Sequence, residues 1–125
     1  MPNDEAIILF AHGARDPEWA APFRVIREQV KLQRPEVAVE LAFLEFMSPP
    51  LESAVAQLIA GGARRITLVP LFMAQGGHLK HDLPLLIERI RAANPGVSLK
   101  VAPAVGDVPD ILQAISAWVV RESRQ

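Results

Sequence analysis

The chain reads as an α/β protein of three layers: a four-stranded parallel sheet in the order 2-1-3-4 with helices on both faces. Three observations lead there. Residues 6–11 and 66–72 are short apolar runs without alternation, the pattern of strands covered on both sides. Each run gives way to apolar residues at helical spacing. The strand–helix unit then recurs to make four in all, which calls for right-handed crossovers between parallel strands.

The first strand, 6–11, stops at His12-Gly13. Asp16-Pro17 supplies a cap and a first helical position, and Trp19, Phe23, Ile26 and Val30 recur on one helical face until Arg34-Pro35. Pro22 is tolerated only near that helix's start. The second strand, 37–44, is followed by Glu45, and Ser48-Pro49 reads as the next cap and first-turn proline. Leu51, Val55, Leu58 and Ile59 form a buried stripe that Gly61-Gly62 ends. After the third strand, Gly76-Gly77 is expected to turn the chain sharply through positive φ and present His78. Leu83, Leu86, Ile87 and Ile90 mark the third helix, which Asn94-Pro95-Gly96 closes. The fourth strand is 97–102, and Ile111, Leu112, Ile115, Trp118 and Val119 make the last helix amphipathic.

A length of 125 residues fits one domain over 1–125, large enough to bury roughly two-thirds of its unfolded surface. A net charge of −1 gives nucleic acid and anionic membranes no long-range pull. No apolar run is long enough for a bilayer, and the opening Met1-Pro2-Asn3-Asp4-Glu5 lacks the basic-then-apolar pattern of a secretory signal, so a cytoplasmic location is expected. With no cysteine, disulfides, thiolate nucleophiles and cysteine-held clusters are excluded. Any metal must be held by imidazole, carboxylate or water, ligands suited to Co²⁺, Ni²⁺, Fe²⁺ or Zn²⁺ rather than Cu(I). A mean hydropathy of +0.21 hints that another subunit covers part of the surface.

Ligands of such sheets bind beyond the carboxyl ends of the strands, where the winding reverses. In a 2-1-3-4 order that point lies between the first and third strands, and all three histidines, His12, His78 and His81, fall on that side. Imidazole, with an unperturbed pKa of about 6.5, serves either as a neutral metal ligand or as a proton acceptor. His78 and His81 share a helical face if the third helix has already begun, although Pro84 is equally compatible with a turn. Glu45 is placed to orient an imidazole or accept protons, or else to sit in solvent near a helix start. Neither glycine context forms a dinucleotide fingerprint or a phosphate loop, and no Gly-x-Ser-x-Gly elbow is present.

Three segments carry a resemblance. Leu-Phe-Ala-His-Gly-Ala-Arg-Asp-Pro at 9–17, Ala-Phe-Leu-Glu-Phe at 42–46 and Pro-Leu-Phe-Met-Ala-Gln-Gly-Gly-His-Leu-Lys-His-Asp-Leu-Pro at 70–84 resemble the sirohydrochlorin chelatase family of the CbiX/SirB type, in its short single-domain form. The resemblance implies a chelatase/flavodoxin-like fold and a homodimer. It also implies ATP-independent insertion of a divalent metal, Co²⁺ first and Fe²⁺ or Ni²⁺ next, into sirohydrochlorin, with no cofactor beyond that metal substrate. The family's histidines map onto His12 and His78, as catalytic and metal-binding residues, and its strand-end glutamate onto Glu45. Arg15, Lys80, Gly76 and Gly77 are then candidates to receive the carboxylated tetrapyrrole. One departure is visible: many relatives carry Gly-x-His-Pro where this chain has Gly106-Asp107-Val108-Pro109. A non-catalytic carrier of metal or tetrapyrrole on the same fold is the alternative.

Overall fold

The structure, a computed structural model, describes residues 3–124; Met1, Pro2 and Gln125 lie outside the described residues. Four parallel strands, β1 (Glu5–Ala11), β2 (Ala38–Phe43), β3 (Arg65–Pro70) and β4 (Ser98–Val101), form one sheet in the order β2-β1-β3-β4. This is the order expected from the sequence. The helices α1 (Ala21–Gln33), α2 (Leu51–Ala60), α3 (Gly77–Ala93) and α4 (Pro109–Ser123) follow the strands in turn.

Alternation along the strands divides the core. Ile8, Phe10, Ile66 and Leu68 point to the face covered by α2 and α3, where they meet Val55, Leu58, Leu83 and Ile87. Leu9, Ala11, Val39, Leu41 and Phe43 point to the other face, under Phe23 and Val30 of α1. Burying each of the Val, Leu, Ile and Phe side chains among these stabilises the fold by about 1.5–3 kcal/mol, so the sheet is a firm platform for the loops at its carboxyl edge.

The helix ends follow the sequence with one exception. The carboxylate of Asp16 accepts the amide of Glu18 at 2.9 Å and caps a short 3-10 turn, Pro17–Ala20, which leads into α1. Gly62, at φ +106, ends α2 while Ala63 N–H donates to Leu58 O at 3.0 Å. Ser48, in contrast, caps nothing. The amide of Phe43 donates to Pro49 O at 2.9 Å, which holds extended Pro50 beside β2, and α2 begins only after Pro50.

α4 stands apart. It is amphipathic as expected, yet none of its residues is buried, and Leu112, Ile115, Trp118, Val119 and Val120 are 40–54% exposed. Its main contact is the 3-10 turn Val105–Asp107 just before it. The sheet beside α1 correspondingly keeps an apolar groove of about 580 Å³, lined by Ile7, Leu9 and Val69 of the sheet, Leu71 just past β3, Phe23 and Ile26 of α1, and, from α4, Ile111 at its start. Among the described residues no helix is long and apolar enough to cross a membrane.

Candidate functional site at the carboxyl edge of the sheet

The register carries β1 and β2 side by side to Ala11↔Phe43, and pairs β1 with β3 as far as Phe10↔Pro70. His12 therefore leaves the sheet just past its last paired residue. Gly13 then takes φ +92, and a Cβ there would overlap the carbonyl of Glu45. Glu45 N–H donates to His12 O at 3.1 Å, so the loops after β1 and β2 are joined through backbone, and Glu45 stands beside His12.

Phe72, buried at 5% exposure, meets the His12 ring edge to face, with centroids 5.7 Å apart and planes at 80°. The same ring packs edge to face on Phe10 at 5.5 Å. His12 is thus exposed on one side and backed by a fixed aromatic on the other. Phe72 also lines a cavity of about 230 Å³ together with Gln75, Lys80, Ala104 and Asp107, between the loop after β3, the first turn of α3 and the turn before α4.

α3 begins at Gly77, settling the alternative left by Pro84: His78, Lys80 and His81 are all helical, and Lys80 N–H donates to Gly76 O at 3.0 Å. Pro84 lies inside the helix, where it cannot donate to the carbonyl of Lys80, the residue one turn earlier. Leu79 and Leu83 anchor the buried side, leaving His78 and His81 exposed a turn apart. The glycine pair works differently from the expectation. Gly76 is extended at φ −67, ψ 165, neither glycine has positive φ, and a Cβ on either would meet only open space. Their effect is to leave the first turn of α3 without side-chain cover or cap, with its amides available.

His12 and His78, His81, Glu45, Arg15 and Lys80 all lie exposed on this one edge of the molecule. None of the side chains of His12, His78, Glu45 or Lys80 enters a hydrogen bond or salt bridge among the described residues. Nor do three or more His, Asp or Glu side chains among the described residues gather into a closed metal site.

Two site residues escaped the reading of the sequence. Phe72 looked like the end of a strand; its place behind His12 follows only from the β1–β3 register. Phe46 follows Glu45 and adopts φ +65, with the guanidinium of Arg15 over its ring at 4.9 Å from the centroid. A bulky residue in the left-handed region leaves no signature in a single sequence.

Fold and site together define a parallel α/β protein with an open, imidazole-bearing edge at its topological switch point. The chain belongs to the CbiX family, whose model matches residues 6–122. It is 41% identical over 81 residues to the sirohydrochlorin cobaltochelatase of Saccharolobus islandicus, covering 65% of this chain and 62% of that protein. The sirohydrochlorin cobaltochelatase of Methanococcus aeolicus is 34% identical over 83 residues, 66% of this chain and 58% of its own length. The match therefore spans less than two thirds of either relative, whereas it spans 81% of the Saccharolobus solfataricus protein of the same name, at 33% identity. Among solved structures, a CbiX protein of Marinobacter aquaeolei VT8, described as one of cobalamin (vitamin B12) biosynthesis, superposes with a TM-score of 0.82 at 33% identity, over 96% of this chain and 98% of that one. The sirohydrochlorin chelatase SirB of Bacillus subtilis subspecies spizizenii, in complex with cobalt, gives 0.76 at 25% identity, over 92% of this chain and 49% of SirB.

Proposed function

We propose that the protein inserts a divalent metal into sirohydrochlorin without ATP, as a step of cobalamin- or siroheme-type tetrapyrrole synthesis in the cytoplasm. Co²⁺ is the first expectation, with Fe²⁺ or Ni²⁺ as alternatives. The observation that carries the reading is the pair of exposed imidazoles, His12 and His78, on the edge where β1 and β3 end, in a chain whose relatives are sirohydrochlorin cobaltochelatases.

Insertion forms bonds from the metal to the macrocycle nitrogens, breaks two pyrrolic N–H bonds and releases two protons. His12 and His78 are suited both to hold the ion loosely and to take up those protons, with Glu45 assisting and solvent receiving them last. An open ligand set suits a metal that must be surrendered, since water and the macrocycle fill the remaining positions. The bare first turn of α3, at Gly76 and Gly77, with Lys80 in it and Arg15 across the edge, suits the carboxylates of the substrate.

The protein acts in this reading as a homodimer. The exposed stripe of α4 and the uncovered groove beside α1 are complementary in character, and α4 of a second copy is the natural occupant. SirB, half of which this chain matches, is about twice as long, which also favours two copies doing the work of one longer chain.

The test is anaerobic mixing of protein, sirohydrochlorin and Co²⁺, followed by visible spectroscopy. Insertion faster than in the protein-free control supports the chelatase. Binding without acceleration makes the protein a carrier, and no spectral or thermal response to either ligand removes both readings.

A further inference from the structure

We propose that Phe46 is a specificity-determining residue of this site: an outward-held aromatic ledge that takes the flat face of the tetrapyrrole, while Arg15 beside it takes a peripheral carboxylate. The identity of the macrocycle rests on the chelatase reading; the role of the ring rests on the following geometry.

Phe46 is, among the described residues, the one non-glycine residue at positive φ, +65. A side chain with a Cβ resists that conformation, and such strain persists where the surroundings enforce it. Here they do. Glu45 is bonded to the backbone of His12, its carbonyl closes on Gly13 and also accepts Met47 N–H at 2.8 Å, and Phe46 is left at the apex. Were only a turn required, glycine or asparagine would serve without strain.

The ring is also in the wrong place for a hydrophobe. Met47, next in the chain, packs against the core, whereas Phe46 is 58% exposed. Arg15, three residues past His12, places its guanidinium over one face of the ring. The ring keeps more than half of its surface exposed even so. The pair therefore offers a π-surface and a forked carboxylate donor within one patch, beside the imidazole assigned to the metal. A bare metal ion has no use for that combination; a flat conjugated ring edged with carboxylates matches it.

The experiment uses full-length protein with metal-free sirohydrochlorin as the binding probe, then the insertion assay. Phe46→Gly should fold, keep its mass and melt no lower than wild type, because glycine accepts the left-handed conformation. Its Kd and KM for sirohydrochlorin should rise about tenfold or more, with kcat and the KM for Co²⁺ nearly unchanged. Phe46→Trp should restore binding and Phe46→Leu should not. Wild-type sirohydrochlorin affinity in folded Phe46→Gly, or full affinity in Phe46→Leu, would overturn the proposal. If wild type binds the macrocycle but does not metallate it, the chelatase reading fails while the Kd series still decides Phe46; if wild type does not bind it, both fail.

Discussion

The ring of Phe72 stands edge-on to the imidazole of His12, 5.7 Å between centroids, and so makes a buried core residue the backing of an exposed catalytic candidate. Phe72→Leu keeps most of the core volume and should cost about 1 kcal/mol of stability, yet it removes the surface that orients His12. The expected outcome is a folded protein with a slowed insertion step, read from a thermal melt beside a single-turnover assay. Equal, small losses in both would assign Phe72 to packing alone.

Gly13 is the tightest point of the site. Ala at this position would bring a Cβ onto the Glu45 carbonyl at a backbone angle of φ +92, so Gly13→Ala is expected to cost about 1–3 kcal/mol and to part the β1 and β2 loops. Ala at Gly76 meets open space and should be tolerated in the melt. The comparison of the two melting temperatures checks the assignment of positive φ to the first position and not the second.

These contrasts show how far the residues could be read in advance. Order and direction of the strands were legible because buried parallel strands leave unbroken apolar runs such as 66–72, and because Asp16, Gly62 and Asn94 end or start helices by local chemistry. His12, His78 and Glu45 were legible as strand-end and post-strand residues on one edge. The Ser48 cap was not, since whether it forms depends on the amide of Phe43 claiming Pro49 O, a contact between segments. Phe72 and Phe46 owe their roles to register and to a strained turn, and the exposure of α4 depends on what else packs on the sheet. None of these is encoded by periodicity.

The opposite edge of the sheet carries the pH-sensitive stability. Arg65 hydrogen-bonds Asp4 at 2.7 Å and Arg34 bonds Glu36 at 2.6 Å, and these guanidinium contacts hold both carboxyls below their usual range. A depressed folded pKa means the contribution is complete above the ordinary carboxylate range, about pH 4, and disappears as pH falls through the folded value. Asp4→Asn should therefore lower the melting temperature slightly at neutral pH, with the difference from wild type vanishing in acid and shrinking in high salt. A difference that persists in strong acid would show that the ion pair is not its source.

Trp118 is 54% exposed on α4, and among the described residues nothing buries it. In the dimer proposed above, Trp118→Asp should roughly halve the solution mass and lower insertion activity. Each half-exposed apolar side chain removed from water is worth about 1 kcal/mol, so a charged residue in the stripe is expected to outweigh its neighbours. Light scattering after gel filtration reads the mass directly; an unaltered dimer would place the interface elsewhere, and a monomeric wild type would mean that α4 is not exchanged.

Imidazoles from the end of β1 and the first turn of α3, His12 and His78, are assigned to the incoming metal and the outgoing protons. The most direct test of that assignment is the anaerobic rate of Co²⁺ insertion into sirohydrochlorin by His12→Ala, His78→Ala and the double variant, each shown to melt like wild type. Each single variant should lose insertion at least about a hundredfold and the double variant little more, as expected for groups acting as one unit. Near-wild-type rates in folded His78→Ala would contradict the assignment.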